Sequence, residues 1–315
     1  MQLIPPPELA VAKFTSAVQK LAGDNARMLL AVSGGPDSLA MLLLAHAAMP
    51  SRISAATIDH QLRPEAADEA DFVAALCEKL NVPHSILRPP APITGNLQSE
   101  ARAARYALLQ TQADTDGCDW IATAHHADDQ LETVLMRIKR GSGIDGLAAI
   151  RTRQGKIIRP MLAFAKTELE AICKQSGVTP VSDPSNADDS FDRVAIRQWL
   201  AANAHPFDVH RAVRTARAFA DASEALEWTT DSVFETRVSS NGGDLILNPA
   251  GLPREIQRRL LLRILDQIQP GYAPRGDAAD RALETLANGG RQLLRDILCE
   301  GGETWRFRPA PGRLR

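Results

Sequence analysis

From Met28 to about Asp129, short apolar runs alternate with longer amphipathic stretches. The runs at 28–32, 53–58, 85–87 and 120–124 have the length of strands, and between them 38–48, 66–80 and 97–112 carry apolar residues at spacings of three and four, the period of a helix. That alternation predicts repeated βαβ units and hence an α/β fold built on a doubly wound parallel sheet. Ligands of such sheets bind beyond the carboxyl ends of the strands, so the residues that follow each strand are the ones to inspect. Further along come a polar helix start after 124, a glycine-rich turn at 141–146, a helix at 166–176 and a loop-like stretch at 179–192. Past Phe207 the character changes to long helical stretches at 209–234 and 253–268, with a short strand at 244–247 and a hairpin pattern at 292–299 and 304–308. We therefore expect two domains, 1–206 holding the sheet and 207–315 smaller and mainly helical, with the boundary between Ala204 and Val209.

Composition narrows the class. At 315 residues the chain exceeds the size at which one core usually keeps growing, and 44% hydrophobic with 23% charged residues excludes global disorder, a collagen-like repeat or a coiled coil. A net charge of -2 supplies no bulk attraction to polyanions, so any nucleic acid must be held by local basic patches. Cys77, Cys118, Cys173 and Cys299 lie far apart with no C-x-x-C pair, as expected of free thiols in a reducing compartment. Pro5, Pro6, Pro7 and Glu8 do not read as a secretory signal, and no run of about eighteen apolar residues occurs, so a cytoplasmic protein without membrane association is expected.

The chemistry follows the strands. After the first stands Ser33-Gly34-Gly35-Pro36-Asp37-Ser38, a glycine turn leading into an apolar helix. The unpaired N–H groups and dipole of a helix start make an anion site there. The glycines allow close backbone approach, Pro36 suits the first helical turn, and Ser33 and Ser38 add hydroxyls. A carboxylate beside a phosphate repels it unless a divalent cation bridges them, so Asp37 points to Mg²⁺. No Gly-Lys-Ser/Thr follows, which disfavours a Walker-type loop. After the second strand comes Asp59-His60-Gln61-Leu62-Arg63, and after the fourth His125-His126-Ala127-Asp128-Asp129-Gln130-Leu131-Glu132-Thr133, where Asp129 and Glu132 share a helix face. A zinc site from His125, His126, Asp128 and Asp129 lacks the H-x-x-x-H spacing, and a plain acidic first turn is the other alternative. Arg102 and Arg105, three apart on a helix, suit bidentate phosphate contact or an ordinary solvated Glu-Arg face.

The hexapeptide resembles the PP-loop of the ATP pyrophosphatase superfamily, which implies cleavage between the α and β phosphates of ATP. Together with Asp59-His60-Gln61-Leu62-Arg63, Glu100 to Tyr106, the His125 to Thr133 block, Arg140 to Leu147, Arg159-Pro160-Met161-Leu162 and Asp183-Pro184-Ser185-Asn186, it is similar to the tRNA(Ile)-lysidine synthetases within that superfamily. Where the family pattern reads Arg-Asn-x-Ile/Leu-Arg, this chain has Arg193-Val194-Ala195-Ile196-Arg197 and keeps both arginines. The resemblance implies that ATP adenylates C2 of the wobble cytidine of tRNA(Ile) with a CAU anticodon, and that free L-lysine then displaces AMP. It implies Ser33 to Ser38 as the ATP loop, Asp37 on Mg²⁺, Arg102 on the leaving pyrophosphate, and Asp129 or Glu132 on the lysine amine.

For tRNA we expect a stripe of Arg193, Arg197, His205, His210, Arg211, Arg214 and Arg217, with further clusters at Arg254, Arg258, Arg259 and Arg263 and at Arg306, Arg308, Arg313 and Arg315. With 4% aromatic residues, base stacking is not expected to dominate. A homodimer is compatible with this reading. Its rivals are a PP-loop tRNA thiolase, against which the isolated cysteines weigh, a small-molecule amidotransferase or synthetase, and a non-catalytic ATP-binding module.

Overall fold

A computed structural model describes residues 3–59, 65–89, 97–181, 191–203, 205–274 and 277–310, with side chains at 65, 97–102 and 191–192 left aside. The chain divides into two compact units, Met1–Ala220 and Asp221–Arg315.

The first unit is built on a mostly parallel sheet. Strands β1 (Met28–Ala31), β2 (Ile53–Ile58), β3 (His84–Leu87), β4 (Trp120–Ala122), β5 (Arg153–Gln154) and β6 (Ile157–Ile158) lie in the order β3-β2-β1-β4-β6-β5, with only the edge strand β5 antiparallel. Helices α1 (Glu8–Ala22), α2 (Pro36–Ala48), α3 (Glu65–Lys79), α4 (Leu97–Thr115), α5 (Ala127–Lys139), α6 (Ile144–Leu147), α7 (Lys166–Gln175) and α8 (Phe191–Ala202) complete it. Alternation along β1 sorts the core: Met28 and Leu30 join the cluster formed with α1, α2, α3 and α7, while Leu29 turns to the opposite face with Leu109 and Ala113 of α4. Helix α2 is buried from Ser38 to Ala45 because α1 and α7 pack against it, which explains why its sequence is apolar all round. Strand order reverses between β1 and β4, and the chain leaves both strands at that crevice.

The expected strands and helices of the sheet are present, with α4 running three residues further than its periodic stretch. The expected elements did not include α1, nor the strands β5 and β6, which at two residues each are too short to show a period.

Helix α9 (Val209–Arg237) contains the division between units. The second unit adds β7 (Val238–Asn241), β8 (Asp244–Leu247), α10 (Arg254–Ile268), α11 (Ala278–Ala287), β9 (Arg291–Leu294), β10 (Ile297–Glu300) and β11 (Trp305–Pro309). Its strands form an antiparallel sheet in the order β7-β8-β11-β10-β9, so the expected hairpin is part of a larger sheet beside the helices. Leu260, Leu261, Ile264, Leu286, Trp305 and Phe307 fill its core.

At Gly301 the backbone passes so close to α11 that a Cβ would lie 2.1 Å from the Leu286 carbonyl oxygen. Because that obstacle is main chain, Gly301→Ala is expected to lower the stability of the second unit by about 3 kcal/mol, measurable by urea unfolding of the full chain. Wild-type stability in that variant would mean that this crossing yields readily.

Candidate active site

The turn after β1 carries the loop expected to bind an anion. Gly34 has φ +85°, a conformation that L side chains rarely adopt, and its carbonyl accepts the Val181 N–H at 3.1 Å. Gly35 precedes α2 and Pro36 occupies its first turn. Ser38 Oγ accepts the Ser33 N–H at 3.1 Å and donates to the Gly35 carbonyl at 3.0 Å, so its hydroxyl braces the turn from inside. The loop therefore presents the α2 N-terminus at the sheet crevice, as the sequence requires of an anion site.

The β4–α5 connection brings a second set of groups to the same place. The buried His126 ring lies among three carboxylates: Nε2 is 3.5 Å from Asp37 Oδ2 and 3.6 Å from Asp129 Oδ2, and Nδ1 is 3.5 Å from Asp128 Oδ2. Burial alone would lower its pKa, but Asp128 and Asp37 beside the ring raise it to about 10, so the imidazole is a cation near neutrality. Asp129 Oδ2 also accepts the His126 N–H at 3.0 Å. Burial raises the Asp129 pKa, against the opposing pull of His126. Asp128 goes the other way: burial would raise it, but His126 and the Lys166 N–H, which Asp128 Oδ2 accepts at 2.8 Å, bring it down.

One turn along α5, Glu132 is buried and held by α8. Arg197 Nε and Nη2 donate to its two oxygens at 2.9 and 3.0 Å, and Arg193 Nε lies 3.6 Å from Oε2 while its Nη2 donates to Thr133 Oγ1 at 3.2 Å. Residues expected in separate roles, Glu132 toward lysine and Arg193 and Arg197 toward tRNA, are thus brought together in one ion-pair group. The spacing of four places both arginines on the α8 face that meets α5.

Asp37, Asp129 and Glu132 consequently form a line from the loop along the start of α5, with His126 as a member that the sequence reading did not select. Its adjacency to His125 was the available signal, since neighbouring residues at a helix start point apart: His125 Nδ1 is paired with Thr123 Oγ1 at 3.0 Å instead. Asp37 Oδ1 is buried and takes no hydrogen bond. Among the described residues, no group of three or more His, Cys, Asp or Glu side chains could hold a metal on its own. Arg102 belongs to α4, with a side chain outside those described, and 60–63 and 183–186 also lie outside them. Asp59 is described: it is buried and accepts from Arg88 Nε at 3.0 Å.

Of the basic clusters, Arg211, Arg214 and Arg217 are exposed on the first turns of α9. The second cluster is engaged within its own unit: Arg254 with Asp280 at 2.7 Å, Arg258 with Glu255 at 2.7 Å, Arg259 with Glu255 at 2.9 Å and with Glu227, and Arg263 with Asp231. Arg306 and Arg308 likewise face Asp244 and Glu300, at 3.8 and 3.2 Å. The expectation of free basic surface at these two clusters is therefore corrected for the residues described. Acids one helical turn away or across a strand pair neutralise them.

A glycine turn opening a helix at the switch point of a parallel sheet, with acidic groups beside it, fits an ATP-using enzyme of the PP-loop class, and the PP-loop domain family matches residues 8–204. A U34-tRNA thiolase, NcsA from Methanococcus maripaludis, has the same fold, with a TM-score of 0.54 at 20% identity over 67% of this chain and 80% of its own. Two relatives extend over nearly the whole chain. The tRNA(Ile)-lysidine synthase of Zymomonas mobilis is 42% identical over 98% of this chain and 95% of its own length, and that of Novosphingobium aromaticivorans is 38% identical over 96% and 94%. The chain belongs to the tRNA(Ile)-lysidine synthase family, the ATP-dependent ligases that modify this tRNA.

The Glu132 pair generates a test. Glu132→Gln leaves Arg197 and Arg193 facing a neutral group, and because Arg197 is half-exposed the loss is expected to be moderate, about 2 kcal/mol of unfolding free energy. Arg197→Lys, which keeps the charge but not the two-pronged contact, should lose about half as much. Urea unfolding of both variants checks this, and an unchanged midpoint for Glu132→Gln would remove the pair from the list of structural supports.

Proposed function

We propose that the chain adenylates the C2 oxygen of the wobble cytidine in tRNA(Ile) with a CAU anticodon and then joins free L-lysine to C2. In the first step that oxygen attacks the α-phosphorus of ATP, the Pα–O–Pβ bond breaks and pyrophosphate leaves. In the second the lysine side-chain amine attacks C2, the C2–O bond to AMP breaks, and the amine gives up its proton. The observation that carries this reading is the line of acids beside the loop: a nucleotide-binding module alone has no use for Asp37, Asp129 and Glu132 next to a polyphosphate.

The residues divide the work as follows. The amides at the start of α2, with Ser33 and Ser38, receive the departing pyrophosphate, and Arg102 steadies the charge that develops on it. Asp37 would hold Mg²⁺: its buried, unpartnered Oδ1 is a hard oxygen donor, and a site of one carboxylate completed by substrate phosphates suits that ion better than a protein cage. Mg²⁺ bound there would neutralise charge on the leaving group. His126 balances Asp37, Asp128 and Asp129 while the site awaits its cations. Asp129 is assigned to the lysine amine, since Glu132 is already neutralised by Arg197, whereas burial makes Asp129 the better proton acceptor. Arg211 and Arg214 are assigned to tRNA phosphates, and Arg193 and Arg197 act through Glu132. One chain supplies all these residues, a homodimer is compatible with the scheme, and the cytoplasm is the compartment that suits it. No described helix is long and apolar enough to cross a membrane.

A thiolase reading requires cysteines available for sulfur chemistry. All four here are buried, and burial pushes the thiols of Cys77, Cys173 and Cys299 up to about 12.

The test is incorporation of labelled lysine into unmodified CAU tRNA with ATP and Mg²⁺, lost when the wobble C is replaced. Asp37→Asn is expected to lower tRNA-dependent ATP–pyrophosphate exchange at least about a hundredfold. Asp129→Asn should leave exchange within about threefold and lower lysine transfer by about a hundredfold or more. Equal loss of both activities in Asp129→Asn would refute the division between the two aspartates, and absence of label with the wild type would refute the lysine step.

A further inference from the structure

Three rings stand together where α8 ends and α9 begins. Trp199, His205 and Phe207 have ring centroids 5.8 to 6.5 Å apart, with Trp199 and His205 inclined by only 23°. Trp199 is 49% and Phe207 42% exposed, and among the described residues of the first unit they are the only exposed large aromatics. The Trp199 backbone is fixed, since its carbonyl accepts the Asn203 N–H at 3.1 Å and the Asn203 side-chain amide at 2.7 Å. Trp199 follows Arg197 by two residues, roughly 200° around a helix, so α8 offers arginine to Glu132 on one side and indole to solvent on the other.

The chain that leaves this cluster begins α9, where Arg211, Arg214 and Arg217 recur every three residues and are exposed. Asp208 is the nearest acid in sequence, and its Oδ1 is occupied by the Arg211 N–H at 2.9 Å. A flat apolar surface bordered by exposed guanidinium groups complements a polyanion that carries flat apolar faces of its own, which is unpaired RNA. An apolar protein partner would not call for the arginines, and duplex RNA hides its base faces within the stack.

We propose that Trp199, His205 and Phe207 form a stacking platform for an unpaired nucleobase of the tRNA other than the reacting cytidine, whose flanking phosphates lie along Arg211, Arg214 and Arg217. This deepens the function proposed above and rests on it. It also departs from the expectation that stacking plays little part, because clustering makes three rings useful where overall aromatic content is low.

The experiment measures binding of the full chain to unmodified CAU tRNA across a salt series. Trp199→Ala is expected to weaken binding about tenfold without changing the slope of log affinity against log salt, while Trp199→Phe stays within about threefold of wild type. The Arg214→Ala/Arg217→Ala double variant should reduce that slope by between about one and two. Annealing a complementary oligonucleotide over the anticodon loop removes the unpaired bases, and wild type and Trp199→Ala should then bind alike. ATP binding without tRNA serves as the folding control, and Phe207→Ala replaces Trp199→Ala if the latter fails it. Undiminished binding by the folded Trp199→Ala chain would overturn the platform, as would an equal loss on open and closed RNA. A change in the sedimentation of the free protein would overturn it in favour of a contact between two copies. If the wild type transfers no lysine yet Trp199→Ala still weakens binding to a single-stranded oligonucleotide more than to a duplex, the platform stands and the lysidine reading falls.

Discussion

Four carboxylates crowd one end of the sheet crevice, and the structure is organised around keeping that charge tolerable. Asp37, Asp128 and Asp129 converge on one imidazole, and Glu132, a turn further on, meets two guanidinium groups. Burial acts to raise the pKa of both Asp128 and Asp129, and His126 opposes it at each. The cations come from separate places in the chain: His126 from the end of β4, Arg193 and Arg197 from α8. The α5–α8 packing is therefore an electrostatic requirement of the site as much as an apolar contact.

The same principle explains why the site lies where it does. Strand order reverses between β1 and β4, so the loop that follows β1 and the helix that follows β4 diverge from neighbouring strands and leave a crevice between them. Ser38 and Gly34 fix the floor of that crevice, one through its hydroxyl and the other through a backbone conformation that side chains resist. Asp128 links the opposite wall to α7 through the Lys166 amide.

Much of this was legible in the order of residues. Strands long enough to show alternation, helices long enough to show a period of three to four, and the glycine turn between β1 and α2 are local signals, and the structure keeps them. What escaped is non-local. Nothing near Glu132 announces that Arg197 will meet it, because the pairing depends on how α8 returns to α5 at a sequence separation of 65. Arg258 and Arg259 read as basic surface in one dimension, yet Glu255 lies a turn away on the same helix and Glu227 is brought close by the fold. His126 was passed over for a related reason: a histidine at a helix start is ordinary until the fold sets Asp37 from the start of α2 against its ring. Strands β5 and β6 have two residues each, too few to show a period, whereas α1, with Phe14 and Val18 buried a turn apart, carried a helical period that the expected elements left out.

The edge strand β5 has a further consequence. A parallel sheet that stopped at β6 would leave an open row of backbone donors and acceptors available to any extended peptide, including one from another copy of the chain. Here the last rung is two exposed residues running against the direction of the others, and the guanidinium of Arg153 lies 4.1 Å above the Trp120 ring, holding a charge over the border. Short and polar, β5 ends this side of the sheet in the way that disfavours pairing with a further strand.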